Sequence, residues 1–482
     1  MAYTIQRSPL KWDTIVGQKM VYTVFSTNAN QANKYKYKYV CYLYIGDNGS
    51  ATNLVATLKA SPNDNGYGIF TIDGVLEDYV KSDNNGFSDG TIKSKFKTIA
   101  FNDSTTYHPI HVIDKFCLNT NSLRNFYPIF KEEYATTPTG PVATYSGAQP
   151  AAYGKVFNGM DYGLEQKQSS GNYGVVLSDW NGRDFTENGS GFSGNTSLLT
   201  DAPTQFQYIG DYDYHTISFL AGAWGKPQTQ SPLSLTKFKV QWFDASNNSL
   251  GIFYVDLTTA NGGYNGSTNS SNTHTARELQ YFGCGVANFR NTGVSIPSNW
   301  HKYQVTSVNS SSTNTSPKYN FIKQNDDCKG YEKIRLTWLN KYGTWDYYNF
   351  TKKSIKSTNI KRDEFKGVKG NWNDNQYTQH DANRGRTILN TKATKVIQAN
   401  SDWFTTDKEA AWLEQLFISN EVYILRGFDA FDSGTSGAKF GEYITPCIVK
   451  SNKYEKYTQA NDKVAQYEIT IEEASNMRIQ KG

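Results

Sequence analysis

Histidine and acidic residues that stand close together are the first candidates for catalysis or metal binding in this chain. His108, His111 and Asp114 form the densest group. Pro109 disfavours a helix, and an extended strand would turn the two histidines, three residues apart, to opposite faces. Shared metal ligation would require a special loop, so we expect no metal site at this position.

A second group has the composition of an acid–base site. Asp211, Asp213 and His215 alternate along the sequence, and a strand spanning them would place two carboxylates and an imidazole on one face. Such short groups are common by chance, and we expect no catalysis from this one. Two other groups are expected to be solvated or to cap a turn: Asp374 with His380 and Asp381, and Asp326 with Asp327 before Cys328.

Catalytic motifs are also missing from the sequence. Residues 434–437 read GTSG, which lacks the GxSxG spacing of a nucleophile elbow. Residues 437–439 read GAK, which does not complete a phosphate-binding loop. Paired carboxylates on distant strands leave no spacing to find, so a glycosidase pair stays open. We expect no enzyme activity, no cofactor and no bound metal.

The elements that must position any site are predicted to be β-strands. Aromatic residues make up 15% of the 482 residues, and 34 of them are Tyr, while charged residues make up only 19%. Tyr, Phe, Trp and Thr suit a pleated, half-buried surface. This length exceeds one ordinary core. We therefore predict a mostly β, multidomain protein of immunoglobulin-like or jelly-roll-like β-sandwiches, with long loops and one short C-terminal helix.

Charge and cysteine usage narrow the partners and the compartment. The formal charge of +5 is a weak field over this length, so nucleic acid is an unlikely partner. The five cysteines have no CxxC spacing, which favours reduced, mostly buried thiols and synthesis in a reducing cytoplasm. The N-terminus lacks a signal-peptide core, and no window approaches the length of a membrane span. We expect no membrane partner.

Composition along the chain predicts four segments. Residues 1–133 read as an N-terminal β-sandwich, in which Lys34–Ile45 is a long strand with Tyr35, Tyr37, Tyr39, Cys41, Leu43 and Ile45 on one face. Residues 134–205 are rich in Pro, Gly and Ser and read as a linker or arm. Residues 206–317 read as a second sandwich, and residues 318–482 as a β-rich domain with one helix. Whether loops 134–205 and 258–276 are ordered alone stays open.

The most legible hairpin is predicted at Tyr331–Phe350. Apolar residues alternate on the first strand, and Asn340 to Gly343 supply the turn. The return strand carries aromatic residues on both faces, so it needs cover from its own domain or from a neighbouring subunit. The candidate interface residues are Trp338, Trp345, Tyr347, Tyr348 and Phe350.

Two C-terminal features complete the prediction. The helix Asp407–Ile418 has Thr406 as its N-cap and Glu409 at the capping-box position. The region Lys352–Lys395 is locally basic but lacks the aromatic interleaving of a nucleic-acid groove. We interpret it as a solvated or inter-subunit surface.

Several stretches together carry a resemblance to a known group of proteins. They are FSTNANQANKYKYKYVCYLYIG from Phe25, YFGCGVANF from Tyr281, IRLTWLNKYGTWDYYNF from Ile334, SDWFTTDKEAAWLEQLFISNEVYI from Ser401 and AQYEITIEEA from Ala465. This set resembles virion structural proteins of tailed bacteriophages of the Bacteroides, crAss-like and marine groups. The resemblance touches most of the chain except roughly residues 134–202, and it brings no catalytic residues.

What the resemblance implies is a place in a phage particle. The chain would assemble in multiple copies as a tail ring, neck or baseplate subunit, with copies of itself and other virion proteins as partners. The alternative is a surface-exposed carbohydrate-binding or receptor-binding phage protein. Exposed Tyr and Trp stack well on the sugar rings of a host surface glycan, and this chain has many of both.

Overall fold

β-Strands make up nearly all of the regular structure in the computed structural model of the protein. The chain divides into two compact units, Met1–Gln324 with Trp338–Tyr347, and Asn325–Thr337 with Tyr348–Gly482. The mostly β, multi-sheet architecture confirms the predicted fold class. The structure describes residues 4–7, 13–16, 20–46, 53–81, 123–145, 154–159, 198–211, 213–220, 237–256, 279–289, 295–308, 312–314, 316–324, 331–382, 385–425, 444–451 and 466–474.

The N-terminal module is a β-sandwich. Its sheets have the strand orders β1-β3-β6 and β2-β9-β7-β4-β5, with β8 beside β7. Both contribute to one core, in which Tyr22 and Phe70 from the first sheet pack with Phe130 from the second. A short helix, α1 (Asp73–Glu77), follows β6. The strands are β1 (Thr4–Arg7), β2 (Asp13–Ile15), β3 (Val21–Phe25), β4 (Tyr35–Ile45), β5 (Asn53–Ala60), β6 (Tyr67–Thr71), β7 (Leu123–Ala135), β8 (Ala143–Tyr145) and β9 (Gly154–Phe157).

Part of the expected linker 134–205 belongs to this sandwich. Strands β8 and β9 both pair with β7 in antiparallel fashion, and β9 also pairs with β2 in parallel. Val156 on β9 is fully buried in the core. Residues 143–145 and 154–157 of this segment therefore extend a sheet, because they pair with the edge of β7 that β4 does not occupy.

A second module has an aromatic core. It contains the sheet β10-β16-β15-β12-β13 and the pair β11-β14. Phe238 stacks on Phe282 at 4.0 Å between ring centroids, and Tyr303 stacks on Phe321 at 4.9 Å. The elements are β10 (Gln207–Ile209), β11 (Thr216–Leu220), β12 (Lys237–Phe243), β13 (Ser249–Asp256), β14 (Leu279–Gly283), α2 (Val286–Phe289), β15 (Lys302–Val308) and β16 (Tyr319–Lys323).

The C-terminal strands form one sheet in the order β18-β17-β21-β22-β23-β20-β19. The predicted hairpin is present as β17 and β18. The predicted helix begins and ends where expected, and the Thr406 hydroxyl accepts a hydrogen bond from the Glu409 amide at 3.3 Å. The elements are β17 (Ile334–Leu339), β18 (Trp345–Phe350), β19 (Ser354–Lys366), β20 (Arg386–Asn400), α3 (Asp407–Ile418), β21 (Val422–Leu425), β22 (Ile444–Val449) and β23 (Glu468–Glu473).

One five-residue turn occurs at three places in the described chain, starting at Asn63, Asp244 and Asn340. In each, the side-chain oxygen of the first residue accepts hydrogen bonds from the backbone amides two and four residues later. The fourth residue has a positive φ, +79° at Gly66, +63° at Asn247 and +75° at Gly343. Gly and Asn tolerate this conformation best, which is why they occupy that place.

Among the described residues, no helix is long and apolar enough to cross a membrane.

Candidate interaction site

The carboxylates of Asp211 and Asp213 make structural contacts in the described chain. Strand β11 begins only at Thr216, so the two carboxylates do not share a strand face. Asp211 accepts a hydrogen bond from the Trp300 indole at 2.9 Å and forms an ion pair with Lys323 at 2.9 Å. Asp213 is buried and accepts from a backbone amide three residues earlier at 2.7 Å. Both carboxylates therefore hold the local backbone and a core indole.

The third member of that group, His215, is buried in an aromatic environment. Its ring lies 5.0 Å from the Phe321 ring and 4.5 Å from the Tyr347 ring, measured between centroids. Its backbone amide donates to the Asn288 side chain at 3.1 Å. This environment is that of a core histidine.

The remaining sequence candidates form no metal or catalytic cluster in the part of the chain that the structure describes. Asp374, His380 and Asp381 are exposed, and the Asp374 carboxylate accepts a hydrogen bond from the side-chain amide of Asn371. Cys41, Cys284 and Cys447 are buried, and none of them forms a disulfide bond with a described residue. The following lie outside the described residues: His108, His111, Asp114, Asp326, Asp327, Cys328, Cys117 and residues 434–439.

The candidate interface residues of the hairpin are covered within the chain. Trp338, Trp345, Tyr347 and Phe350 are buried, and Tyr348 is half-buried. The Tyr347 hydroxyl is 2.8 Å from the Thr216 hydroxyl, and the Tyr348 hydroxyl accepts from the Asp402 amide at 2.8 Å. We expected either the hairpin's own domain or a neighbouring subunit to cover these side chains, and residues of the same chain cover them. An intersubunit contact at these five residues stays a prediction.

The hairpin turn is anchored in the first unit by polar contacts to residues 199–201. The Asn340 amide and the Thr344 hydroxyl both donate to the carbonyl oxygen of Leu199, at 3.0 and 2.7 Å. The Tyr342 hydroxyl donates to Asp201 at 2.6 Å, and Lys341 pairs with the same carboxylate at 2.5 Å. The most legible segment of the sequence is thus a structural element.

Just after the hairpin in the sequence, the basic region forms a long, exposed two-stranded ribbon. We call residues 354–400 the β-arm, comprising β19, β20 and the tip loop, residues 367–385. The two strands pair from Ser354↔Ala399 to Lys366↔Arg386. Strand β20 pairs with β23 only from Val396 to Asn400. From Thr358 outward the ribbon therefore has no third strand in the described structure, over about 30 Å.

The β-arm carries the whole net charge of the protein. Residues 354–400 contain nine Lys and Arg against four Asp and Glu, a formal charge of +5, which equals the +5 of the full chain. The remaining residues are therefore formally neutral. A field that is weak when averaged over 482 residues is concentrated on a tenth of them.

The position of the charges along the β-arm follows its attachment to the sheet. Near the sheet, Lys356 pairs with Glu332, and Lys395 lies 3.8 Å from Glu473. Farther out, Arg386 pairs with Glu364. Five cations have no ion pair in the described part of the chain: Lys361, Arg362, Lys366, Lys369 and Lys392.

Two pairs of cations face each other across the ribbon. Lys361 stands directly opposite Lys392, and neither has an ion pair in the described part of the chain; Lys366 stands directly opposite Arg386, which pairs with Glu364. Like charges in such positions destabilise an antiparallel pair. The repulsion is relieved when an anionic group lies between them, so the ribbon is chemically suited to an acidic partner.

Apolar side chains are interspersed among the cations. They are exposed although they are large, and they lie on both strands and at the start of the tip loop: Ile355, Ile360, Phe365, Val368, Ile388 and Leu389. Leu389 is the extra residue where the register shifts between Asp363 and Glu364. Exposed apolar residues grouped on one element are typical of an interaction surface.

The tip loop contains a pair of aromatic side chains that contact each other. The rings of Trp372 and Tyr377 lie 4.6 Å apart with an interplanar angle of 48°. The Trp372 indole donates to the Lys369 carbonyl oxygen at 2.9 Å. The Asn371 amide donates to the Thr378 carbonyl oxygen at 2.9 Å, which closes a small turn inside the loop. These contacts orient both rings without burying them.

Comparisons with known proteins add no identity. Neither a family model nor a curated protein matches the sequence. A chain of E. coli alpha-2-macroglobulin in its native conformation shares 9% identity, with 82% of this chain and 21% of that chain covered and a TM-score of 0.18. The BSP domain of a biofilm-associated protein shares 10% identity, with 81% and 65% covered and a TM-score of 0.13. The chain spans less than two thirds of either structure, and these scores carry no argument.

The basic region was the one sequence feature that pointed to this site. Sequence reasoning missed the exposure of its apolar residues and the Trp372–Tyr377 pair. A signal for the ribbon was present on its second strand, because residues 386–400 contain three Thr, two Ile and one Val, which favour strands.

Proposed function

We propose that this protein is a structural component of a tailed-phage virion that assembles in multiple copies as a tail ring, neck or baseplate subunit. Its partners are copies of itself and other virion proteins, and its place of action is the particle. The observation that carries the proposal is the β-arm, which combines exposed apolar side chains with unpaired cations.

The first support is energetic. A two-stranded hairpin alone is marginal in water, and it becomes stable when a third strand or another surface packs on it. The outer β-arm has neither in the described chain, and its opposed cations weaken it further. A ribbon of this length is best understood as an element that gains its missing cover from another subunit.

The second support is chemical. Apolar residues such as Ile360 and Leu389 lose water favourably against an apolar surface, while Lys361 and Lys392 require acidic groups near them. The matching partner is a protein groove with an apolar floor and an acidic rim. Docking of the β-arm in such a groove would join subunits and needs no catalytic centre, which agrees with our prediction that the protein is not an enzyme.

The test compares the arm with an equally exposed site elsewhere. Ile360→Ser and Leu389→Ser remove apolar surface from the β-arm. Ile418→Ser is the matched control, because Ile418 at the end of α3 is 58% exposed and Ile360 is 53% exposed. Sedimentation velocity on the purified full chain and mass spectrometry of assembled particles measure the outcome.

We expect both arm variants to fold normally but to lose self-association or incorporation into particles, while the control assembles like the wild type. Two results count against the proposal. One is a wild-type chain that stays a monodisperse monomer and is missing from particles. The other is arm variants that assemble as well as the wild type.

A further inference from the structure

The tip loop differs chemically from the rest of the β-arm. Segment 370–382 contains no Lys or Arg, and its charged residues are the acids Asp374 and Asp381. The unpaired cations all lie on the strands or at Lys369. Segment 370–382 is therefore acidic, while the whole tip loop, which also contains Lys369 and Arg384, is formally neutral, and a partner attracted to the strands by charge is not attracted to this segment.

The aromatic pair at the tip is built and exposed at the same time. Trp372 is 67% exposed, although its indole hydrogen bond holds the ring in one orientation. Gly370 has φ +99°, and a Cβ there would lie 2.4 Å from the Tyr377 ring. The ring of Tyr377 thus rests directly on the backbone of Gly370, and its hydroxyl donates to the Gln379 side chain at 2.7 Å.

Polar groups that both donate and accept surround this pair. The side chains of Asn373, Asn375 and Gln376 are exposed and make no hydrogen bond to the described residues. Each amide offers two donor hydrogens and an acceptor oxygen. A ligand at the tip therefore meets two apolar ring faces with a rim of uncommitted amides.

From this combination we propose that the tip loop binds an uncharged carbohydrate. A pyranose ring has a face of C–H bonds, which packs on the electron-rich face of an aromatic ring, and a rim of hydroxyls, which both donate and accept hydrogen bonds. An apolar protein partner would leave the amide rim unsatisfied. A phosphate- or sulfate-bearing ligand would find no cation in segment 370–382 and would be repelled by its two carboxylates.

This site is separate from the proposed assembly surface, because it uses the tip residues and not the strand residues Ile360 and Leu389. A chain docked through its strands still presents the tip. Binding to a glycan and assembly into particles can therefore be measured on the same samples and can fail separately.

The experiment uses the purified full chain on an array of neutral and acidic polysaccharides, with a random-sequence DNA duplex as an additional probe. Trp372→Ala removes the exposed ring. Trp403→Ala is the matched control, since Trp403 is also exposed, at 60%, and lies outside the β-arm. Circular dichroism and the thermal midpoint of both variants show whether folding is intact, and Trp372→Phe keeps a stacking ring in place.

We expect binding to at least one neutral glycan that does not weaken at high salt. Trp372→Ala should weaken it about tenfold or more, the scale of losing one stacked aromatic ring, while Trp403→Ala leaves it unchanged. Trp372→Phe should retain part of the affinity. The proposal is overturned if no neutral glycan is bound, if Trp372→Ala binds like the wild type, or if only acidic glycans or DNA are retained with strong salt dependence.

Discussion

Replacement of Asn340 by Ala is the sharpest test of how the hairpin is held. Asn340 is 1% exposed. Its side-chain oxygen accepts from the backbone amides of Tyr342 at 3.0 Å and Thr344 at 3.1 Å, and its amide donates to the Leu199 carbonyl oxygen at 3.0 Å. In Asn340→Ala the Leu199 oxygen keeps the Thr344 hydroxyl as a donor at 2.7 Å. The loss therefore falls on the two backbone amides.

The magnitude follows from burial. A buried donor that loses its acceptor costs about 1–3 kcal/mol, so two such amides give a range of about 2–6 kcal/mol, and we expect a loss of about 3 kcal/mol, in the lower half of that range. Asn63→Ala removes the same two bonds from the equivalent exposed turn, where water replaces the lost acceptor. We expect a cost of about 0.5–1 kcal/mol there. The pair isolates burial, because the turn geometry is the same.

Hydrogen exchange resolved by peptide is the suitable assay, because a chain with two compact units need not unfold in one step. A loss of about 3 kcal/mol raises the opening equilibrium of the hairpin roughly a hundredfold. Asn63→Ala should raise that of its own turn by less than about tenfold. Equal increases in the two variants, or wild-type protection of the hairpin in Asn340→Ala, would show that orphaned amides do not control this element.

Other predictions concern strain, pH and thiol reactivity. Gly343→Ala should destabilise the chain far more than Gly66→Ala, because a Cβ at Gly343 would lie 1.5 Å from the Asn158 carbonyl oxygen. A Cβ at Gly66 would meet only the movable side chain of Asn30. Similar thermal midpoints for the two variants would contradict this prediction. Hydrogen bonds from Asn248 hold the pKa of Asp244 below its usual range. Stability from this group is present above the unfolded-state pKa of about 4 and is lost as the pH falls through the lowered value, so Asp244→Asn should flatten the acid side of the stability profile; parallel profiles contradict it. Burial raises the pKa of Cys41 to about 12, so a thiol reagent at mildly alkaline pH should label it only after unfolding, as followed by peptide mass spectrometry; rapid labelling of the native chain contradicts this.

Local features were predictable because neighbours in the sequence create them. The alternation from Tyr37 to Ile45 correctly predicted the buried face of β4, since a strand turns successive side chains to opposite sides, whereas Tyr35 in the same pattern is exposed. The start of α3 followed from Thr406 and Glu409, because the Thr406 hydroxyl accepts a hydrogen bond from the Glu409 backbone amide in the first helical turn.

Features that depend on distant parts of the chain were not predictable in the same way. The group at Asp211 and His215 resembled a site because its residues alternate, but the partners that explain it, Trp300 and Phe321, are about a hundred residues away. The cover of the hairpin came from residues such as Leu199 and Thr216 for the same reason. Nothing near these residues in the sequence indicates such contacts.

By itself, the sequence determined the hairpin of β17 and β18, the helix α3, the turns, the mostly β class and the existence of a basic region, but not the strands β8, β9, β19 and β20. Only the tertiary structure decided that Trp338 and Trp345 are covered while Ile360, Leu389 and Trp372 are exposed. The physical reason is that an alternating pattern shows only which residues share a face of the strand. Whether that face is buried depends on the neighbouring strand. Strand β20 has β23 beside it only as far as Val396, and beyond that point the same alternating pattern becomes the exposed β-arm.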